Sequence, residues 1–423
     1  MEFSNELLTL VKEANVALAD IFADLDETSR INTNRVLNSF ADHHVSDSLF
    51  AYTTGYGYDD RGRDTLDEIF ADVFGCEDAM VRHNIVNGTH AISTALFGVL
   101  RPGDVMISVT GKPYDTLDEV VGVTGTPGNG SLADYGVRYR QIDMIDGQRV
   151  DLDAVKAAVA EEGEHAKLVF IQRSKGYMNR RTLTVSEIGE IVRAVKSVNP
   201  DTLVAVDNCY GEFTETIEPG HVGADLMMGS LIKNPGGGMA ETGGYIAGTK
   251  RAVELASYRL TSVGVGKEVG CSLTVLRNFY KGLFYAPHTV SQAIKTAHLA
   301  AYIFDKLGYT VEPAWDEKRS DIIQTVIMGA AEGLCAFCRG IQYGSPVDSF
   351  VTPEPWAMPG YSDNVIMAAG AFVQGSSIEL SADGPVRPPY TAFMQGGLTY
   401  ESGIYGILSA ATEVIKEKSR GNI

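Results

Sequence analysis

Cysteine is scarce: five residues, Cys76, Cys209, Cys271, Cys335 and Cys338, are scattered through 423. An odd, thin set of this kind is no disulfide framework, and reduced thiols are expected. Proline is sparse too, at 15 against 45 glycines, which excludes collagen-like and proline-rich fibres. Positive charge is short, with 35 Lys and Arg facing 54 Asp and Glu for a formal charge of −19. The nonspecific attraction to phosphate backbones and anionic lipid is therefore missing. No apolar run approaches the roughly eighteen residues of a membrane span. The opening residues Met1 to Glu6 lack a basic segment followed by an apolar stretch. A soluble, cytoplasmic protein is expected, with a small-molecule partner and neither nucleic acid nor membrane.

What is present is a globular composition, 44% hydrophobic and 21% charged, without internal repeat or low-complexity segment. At about 150 residues per domain the length predicts two or three domains. Residues 1–50 read as an N-terminal helical arm. In it Leu7, Leu8, Val11, Ala14, Leu18, Ile21, Phe22 and Leu25 recur at helical spacing behind Ser4, a candidate N-cap. Residues 51–298 form the large domain. It opens with an aromatic loop at Gly55 to Asp64 and a helix from Asp64 to Phe74. Short β-rich runs then alternate with helical ones: strands at 79–82, 104–109, 137–142, 168–172, 203–206, 226–228 and 245–247, helices at 89–100, 115–121, 152–160 and 186–198. This alternation predicts an α/β fold, a largely parallel sheet covered by helices, with ligands beyond the carboxyl ends of the strands. Residues 299–423 read as a smaller C-terminal α/β domain.

Three motifs in the large domain carry chemistry. Asn87-Gly88-Thr89-His90-Ala91 opens a helix, where unpaired backbone amides and the helix dipole favour an anion such as phosphate; an ordinary cap is the plainer reading. Leu203 to Val206 is an apolar strand ending in Asp207, a carboxylate at the mouth of the crevice or a loop cap. Lys233 stands between an apolar run and Asn234-Pro235-Gly236-Gly237-Gly238, placed for the partial burial that makes an amine nucleophilic, although most lysines are merely solvated. In this order the three meet the requirements for holding pyridoxal 5′-phosphate: phosphate on the helix N-terminus, an imine on Lys233, and Asp207 keeping the ring nitrogen protonated.

These motifs resemble the fold-type I pyridoxal-phosphate enzymes, in particular the methionine γ-lyase-like or aluminium-resistance proteins related to cystathionine β-lyases. The resemblance runs from Gly55-Tyr56-Gly57-Tyr58-Asp59-Asp60 through the three motifs to Gly282-Leu283-Phe284-Tyr285-Ala286-Pro287-His288. It implies Lys233 as the Schiff-base lysine, Asp207 as the pyridinium partner, and Gly88, Thr89 and Ser230 on the phosphate. His90 lies in the same loop, near the cofactor or in a cap. Tyr114 would be the ring stacking on the cofactor and a candidate acid for the leaving sulfur, or a packing tyrosine. Tyr58 would reach the phosphate of a neighbouring subunit, so a homodimer or homotetramer with shared sites is implied.

The sequence departs from the family in two places. Position 60 is Asp where an arginine is usual, leaving Arg61 or Arg63, with Arg63 favoured. Gln172-Arg173 stands where an Asn-Pro pair usually meets the ring hydroxyl, and either residue could substitute. Arg387, within Pro385-Val386-Arg387-Pro388-Pro389, occupies the region that supplies the substrate-carboxylate arginine, or is a surface loop residue. Cys335-Ala336-Phe337-Cys338 lacks a second ligand pair, reads as core packing, and no metal site is expected. The implied activity is carbon–sulfur lysis by β- or γ-elimination of a methionine, cystathionine or homocysteine class amino acid. Aldol cleavage or transamination on the same cofactor, and a non-catalytic binding or scaffold protein, are the rival readings.

Overall fold

The computed structural model describes residues 2–358, 361 and 363–421. In chain order its helices and strands are α1 (Asn5–Ala17), α2 (Ala19–Asp42), α3 (Arg61–Phe74), β1 (Asp78–Arg82), α4 (Gly88–Val99), β2 (Val105–Ser108), α5 (Asp115–Val121), β3 (Arg138–Gln141), α6 (Leu152–Glu162), β4 (Ala166–Gln172), α7 (Val185–Val198), β5 (Leu203–Asp207), β6 (Leu226–Ser230), β7 (Gly244–Gly248) and α8 (Lys250–Leu260). There follow α9 (Leu276–Lys306), β8 (Thr310–Glu312), β9 (Ile323–Ile327), α10 (Ala331–Tyr343), β10 (Val365–Ala368), β11 (Ser381–Pro385), β12 (Thr391–Gln395) and α11 (Tyr400–Ser419).

The chain divides into two compact units. One comprises Met1–Thr33, Ile232–Gly238 and Tyr285–Ile423; the other comprises Asn34–Leu231 and Met239–Phe284. The larger unit is built on a seven-stranded sheet of order β1-β7-β6-β5-β4-β2-β3. Strands β3, β2, β4, β5 and β6 run parallel, and β7 is antiparallel to both its neighbours. Central strands buried on both faces read as unbroken apolar runs, as Val105-Met106-Ile107 and Leu203 to Val206 do. On one face Ala91, Ile92, Ala95, Leu96 and Val99 of α4 pack with Ala252, Val253 and Ala256 of α8 against Met106, Leu168, Phe170 and Ala205.

The smaller unit carries an antiparallel sheet of order β10-β11-β12-β9-β8. Val326, Ile366, Ala382, Ala392 and Met394 cover a core shared with α10, α11 and Leu7, Val11, Ala14 and Leu18 of the N-terminal helix. A Cβ at Gly340 would lie 2.3 Å from Cα of Ala410, so glycine is what lets α10 and α11 meet backbone to backbone. Cys335 and Cys338 lie on the buried face of α10, where burial pushes both thiols up.

Two helical expectations are corrected. The N-terminal helix breaks at Leu18 and resumes as α2 as far as Asp42, well beyond Leu25. The polar stretch after Leu25 hid the continuation, although buried Asn32, Val36 and Ser39 hold it. The helix expected from Asp64 begins at Arg61, because Asp60 caps it by accepting from the Arg63 amide at 3.0 Å. Ser4 accepts from the Leu7 amide as expected. Among the described residues no helix is long and apolar enough to cross a membrane.

Candidate active site

In a parallel sheet every strand delivers its last residue, and the loop after it, to one edge. Gln172 closes β4, Asp207 closes β5 and Ser230 closes β6. Gln172 and Asp207 are register partners, as are Asp207 and Met228, so the three strand ends stand side by side.

Helix α4 is aimed at the same edge. Asn87 is its N-cap, with its side chain accepting from the His90 amide at 2.8 Å, while the Ala91 amide bonds Asn87 O. The amides of Gly88 and Thr89 precede the first intrahelical bond and point out of the helix end. Thr89 Oγ1 lies 2.8 Å from Thr116 Oγ1 in the first turn of α5, whose N-cap is Tyr114. Tyr114 in turn lies over the loop after β4. A Cβ at Gly176 would be 2.9 Å from Tyr114 Cδ2 and 3.2 Å from Gln172 Nε2, and the Tyr114 and Tyr177 ring centroids are 6.0 Å apart. A continuous line of neighbours thus runs from α4 through Thr116 and Tyr114 to Gln172, Asp207 and the end of β6.

Two atoms on this line are buried without a partner. Ser230, 1% exposed, has no hydrogen bond at Oγ, and Gln172, 4% exposed, has none at Oε1 although its Nε2 donates to Ser174 O at 2.9 Å. Burying such groups unpaired costs about 1–3 kcal/mol each, so orphans clustered at a strand-end crevice point to a ligand that completes them. Asp207 is buried, with its carboxylate accepting from the Cys209 amide at 3.1 Å.

The structure separates Gln172 from Arg173. The Arg173 guanidinium is fully buried and committed to Asn208 Oδ1 and Gly211 O at 2.9 Å each and to Glu215 Oε1 at 2.8 Å. Gln172 is the one that keeps an open acceptor at the strand end. His90 is drawn into its own turn, where Nδ1 accepts from the Val86 amide at 3.1 Å.

Lys233 follows Ser230 by three positions, in the short segment that belongs to the smaller unit. It is half-buried and heads the turn Asn234–Gly236, while Thr289 Oγ1 of α9 donates to Gly237 O at 3.3 Å.

Three further expected residues are placed as follows. Tyr58 is 62% exposed and stacks on Tyr56 at 5.6 Å. Arg63, favoured above for a phosphate, is 3% exposed and donates to Gly57 O at 2.8 Å, Gly270 O at 2.7 Å and Asp64. It fastens the aromatic loop from within, and the exposed neighbour is Arg61. Asp60, the other departure, binds Thr53 Oγ1 and the Arg63 amide. In the smaller unit Arg387 is 47% exposed and paired with Asp363 at 2.7 Å.

Sequence reasoning missed Thr116, which ties the α4 end to the Tyr114 turn, and the buried charges behind Asp207. The signal for the latter was legible: Arg173 directly follows an apolar strand, and Glu212, Glu215 and Glu218 follow Asp207.

Residues 7–415 match the model of the methionine gamma-lyase family. The uncharacterized protein YnbB of Bacillus subtilis is 54% identical over 406 residues, covering 96% of each chain. A solved structure from Clostridium acetobutylicum superposes with a TM-score of 0.94 at 46% identity, covering 97% of this chain and 96% of that one. One described as a carbon-sulfur lyase involved in aluminum resistance, from Clostridium novyi NT, gives a TM-score of 0.93 at 49% identity, over 97% and 96% of the two chains.

Proposed function

Starting from the premise that the chain belongs to the methionine gamma-lyase family and has the fold-type I architecture of pyridoxal-phosphate enzymes, we propose that it is a pyridoxal-phosphate-dependent carbon–sulfur lyase. Its reaction is β- or γ-elimination on a sulfur amino acid of the methionine, cystathionine or homocysteine class. The observation that carries the reading is the pair of orphaned buried atoms, Ser230 Oγ and Gln172 Oε1, flanking Asp207 along one sheet edge.

The residues fit the cofactor group by group. A phosphate needs several donors without acceptors competing for them. The first amides of α4, at Gly88 and Thr89, and the Ser230 hydroxyl supply these. A pyridine nitrogen that must stay protonated needs a fixed carboxylate, and Asp207 is held by the Cys209 amide. A ring hydroxyl needs an acceptor, and Gln172 Oε1 is one. Tyr114 offers its ring face for stacking. When bound, pyridoxal phosphate supplies the electron sink that stabilises a carbanion at the amino acid's Cα.

The chain's own groups move the protons. Lys233 Nζ would hold the cofactor and, as a free amine, would remove the α-proton of the substrate. Asp207 would keep the ring nitrogen of the bound cofactor protonated. Tyr114 Oη orients the departing sulfur or protonates it. Tyr58 and Arg61, exposed on the aromatic loop, are the proposed contribution to the phosphate of a second copy, which makes the active assembly at least a homodimer in the cytoplasm.

The test combines spectroscopy with product analysis. Protein loaded with pyridoxal phosphate is expected to show a visible band that borohydride fixes onto Lys233 and that Lys233→Ala lacks. It is expected to release a thiol and a 2-oxo acid from at least one of cystathionine, methionine and homocysteine. A band with neither product from any of the three would reject the lyase and leave another reaction on the same cofactor.

A further inference from the structure

Behind Asp207 lies a cluster of buried charges that the proposed reaction does not use. Arg173, the residue after β4, donates through its backbone amide to Asp207 O at 3.1 Å. Its guanidinium then spans the loop that follows Asp207, reaching Asn208 Oδ1, Gly211 O, Thr214 Oγ1 at 3.2 Å and Glu215 Oε1, with Glu218 Oε2 at 3.8 Å. The fit leaves no slack: a Cβ at Gly211 would lie 2.5 Å from Arg173 Nη1. Glu218, itself buried, closes the loop from the far side by accepting from the Phe213 amide at 2.7 Å and from Asn208 Nδ2 at 3.2 Å. The backbone here needs such support, because Tyr210 and Phe213 hold positive φ angles of 73° and 62°.

This loop contains a donor to the Asp207 carboxylate, the Cys209 amide. Cys209 lies between Asn208 and Gly211, two of the positions that Arg173 grips. Whatever fixes that pair fixes the Cys209 amide, and with it a bond that directs the carboxylate.

Resting on the reading of Asp207 as the partner of the cofactor ring, we infer that Arg173 is the positioning residue for Asp207, holding its carboxylate through the Asn208–Gly211 turn. A lysine cannot replace it, since five donors in a planar fork are needed to reach four acceptors at once. The charged groups set against Arg173 are Glu215 and Glu218 at its guanidinium and the buried Arg180, which donates to the Arg173 carbonyl at 3.5 Å. Glu212, Tyr245, Arg35 and His221 adjoin the two glutamates through Tyr245 Oη to Glu212, Arg35 to the Thr216 carbonyl, and His221 to the Glu218 amide.

The experiment measures two properties of the protein loaded with pyridoxal phosphate: the cofactor's dissociation constant and the midpoint of the pH titration of its visible band. Removing a buried cation favours whichever form carries the extra proton, and removing a buried anion does the reverse. Arg173→Met is expected to weaken cofactor binding at least about tenfold and to raise the midpoint by roughly one unit. Arg173→Lys restores the midpoint but not the affinity. Glu215→Gln, a milder change that keeps the guanidinium, lowers the midpoint and remains informative if the Arg173 variants do not fold. A purely structural role predicts lower thermal stability with wild-type affinity and midpoint in whichever variants fold, or midpoints moving in one direction for both charge changes. Either result overturns the inference. Wild-type protein that binds no pyridoxal phosphate overturns the cofactor reading itself, and that outcome is seen before any variant is made.

Discussion

Gln172 and Asp207 are register partners at the carboxyl ends of adjacent parallel strands, one presenting an amide oxygen without a partner and the other a carboxylate held by a backbone amide. Two acceptors side by side suit a ring that offers two donors, a hydroxyl and a protonated nitrogen. Gln172→Leu removes one of them while preserving bulk. A neutral hydrogen bond contributes about 1 kcal/mol net, so cofactor binding is expected to weaken by about fivefold, with the band position altered. Equilibrium dialysis with absorbance detection measures both, and unchanged values would remove Gln172 from the site.

Ser230 gives a cleaner separation of folding from binding. Its hydroxyl is buried and unpartnered, so Ser230→Ala costs the cofactor-free protein nothing and relieves a desolvated group. Hydrogen bonds to charged groups contribute about 1.5–3 kcal/mol, equivalent to roughly ten- to a hundredfold in phosphate-dependent affinity. The expected result is an unchanged or higher unfolding temperature without cofactor and a markedly weaker dissociation constant with it. A lower unfolding temperature in the cofactor-free state would mean that the hydroxyl serves the fold.

Asp60 predicts a pH effect of definite sign. Burial raises its carboxyl pKa, but hydrogen bonds from Ser272, Thr53 and the Arg63 amide outweigh that and hold it below the usual carboxylate range. A group depressed in the folded state contributes stability that is complete above its unfolded value of about 3.9 and is lost as pH falls through the folded value. Loss of this N-cap costs about 0.5–2 kcal/mol. Asp60→Ala is therefore expected to be less stable than wild type at pH 7, with the gap narrowing below about pH 4. Urea unfolding at several pH values checks it; a gap independent of pH would show the cap to be uncharged in effect.

What was legible in the sequence follows from which interactions are local. The alternation of apolar strands and amphipathic helices revealed the parallel sheet, and the strand-end position of Asp207 follows from it; Ser230 was named by resemblance alone, the strand expected at 226–228 running on to Ser230. The caps of α1 and α4 lie within three residues of their partners, so Ser4 and Asn87 could be read directly. The break at Leu18 and the extension to Asp42 could not, because α2 is held by scattered buried residues such as Asn32 rather than by a continuous apolar face. Arg173 and Gln172 were indistinguishable as letters. The role of Arg173 is set by acceptors 35 to 42 residues away on the next loop, which only the fold brings within reach, while Gln172 donates to Ser174 two residues on. Arg63 illustrates the same limit: its acceptor at Gly270 is 207 residues distant.

Arg61 and Arg63 lie two positions apart and are predicted to fail in opposite ways. Arg63 donates to the carbonyls of Gly57 and Gly270 from a nearly closed site. Gly57, at φ 60°, lies so close to Cys271 that a Cβ there would be 2.6 Å from its Cα. The aromatic loop is thus clamped onto Cys271 by Arg63, and Arg63→Gln leaves buried carbonyls unpaired at about 1–3 kcal/mol. Its unfolding temperature should fall with or without cofactor. Arg61 is exposed, three positions after the exposed Tyr58, and replacing an exposed side chain alters stability by less than about 0.5 kcal/mol. If Arg61 reaches the phosphate of a second copy, Arg61→Gln should fold normally, weaken cofactor binding about tenfold or more through loss of a charge-assisted bond, and do so only in the assembled oligomer. Sedimentation together with cofactor titration of both variants decides between them. Weakened binding in Arg63→Gln but not in Arg61→Gln, at equal oligomeric state, would return the phosphate role to Arg63 despite its internal bonds.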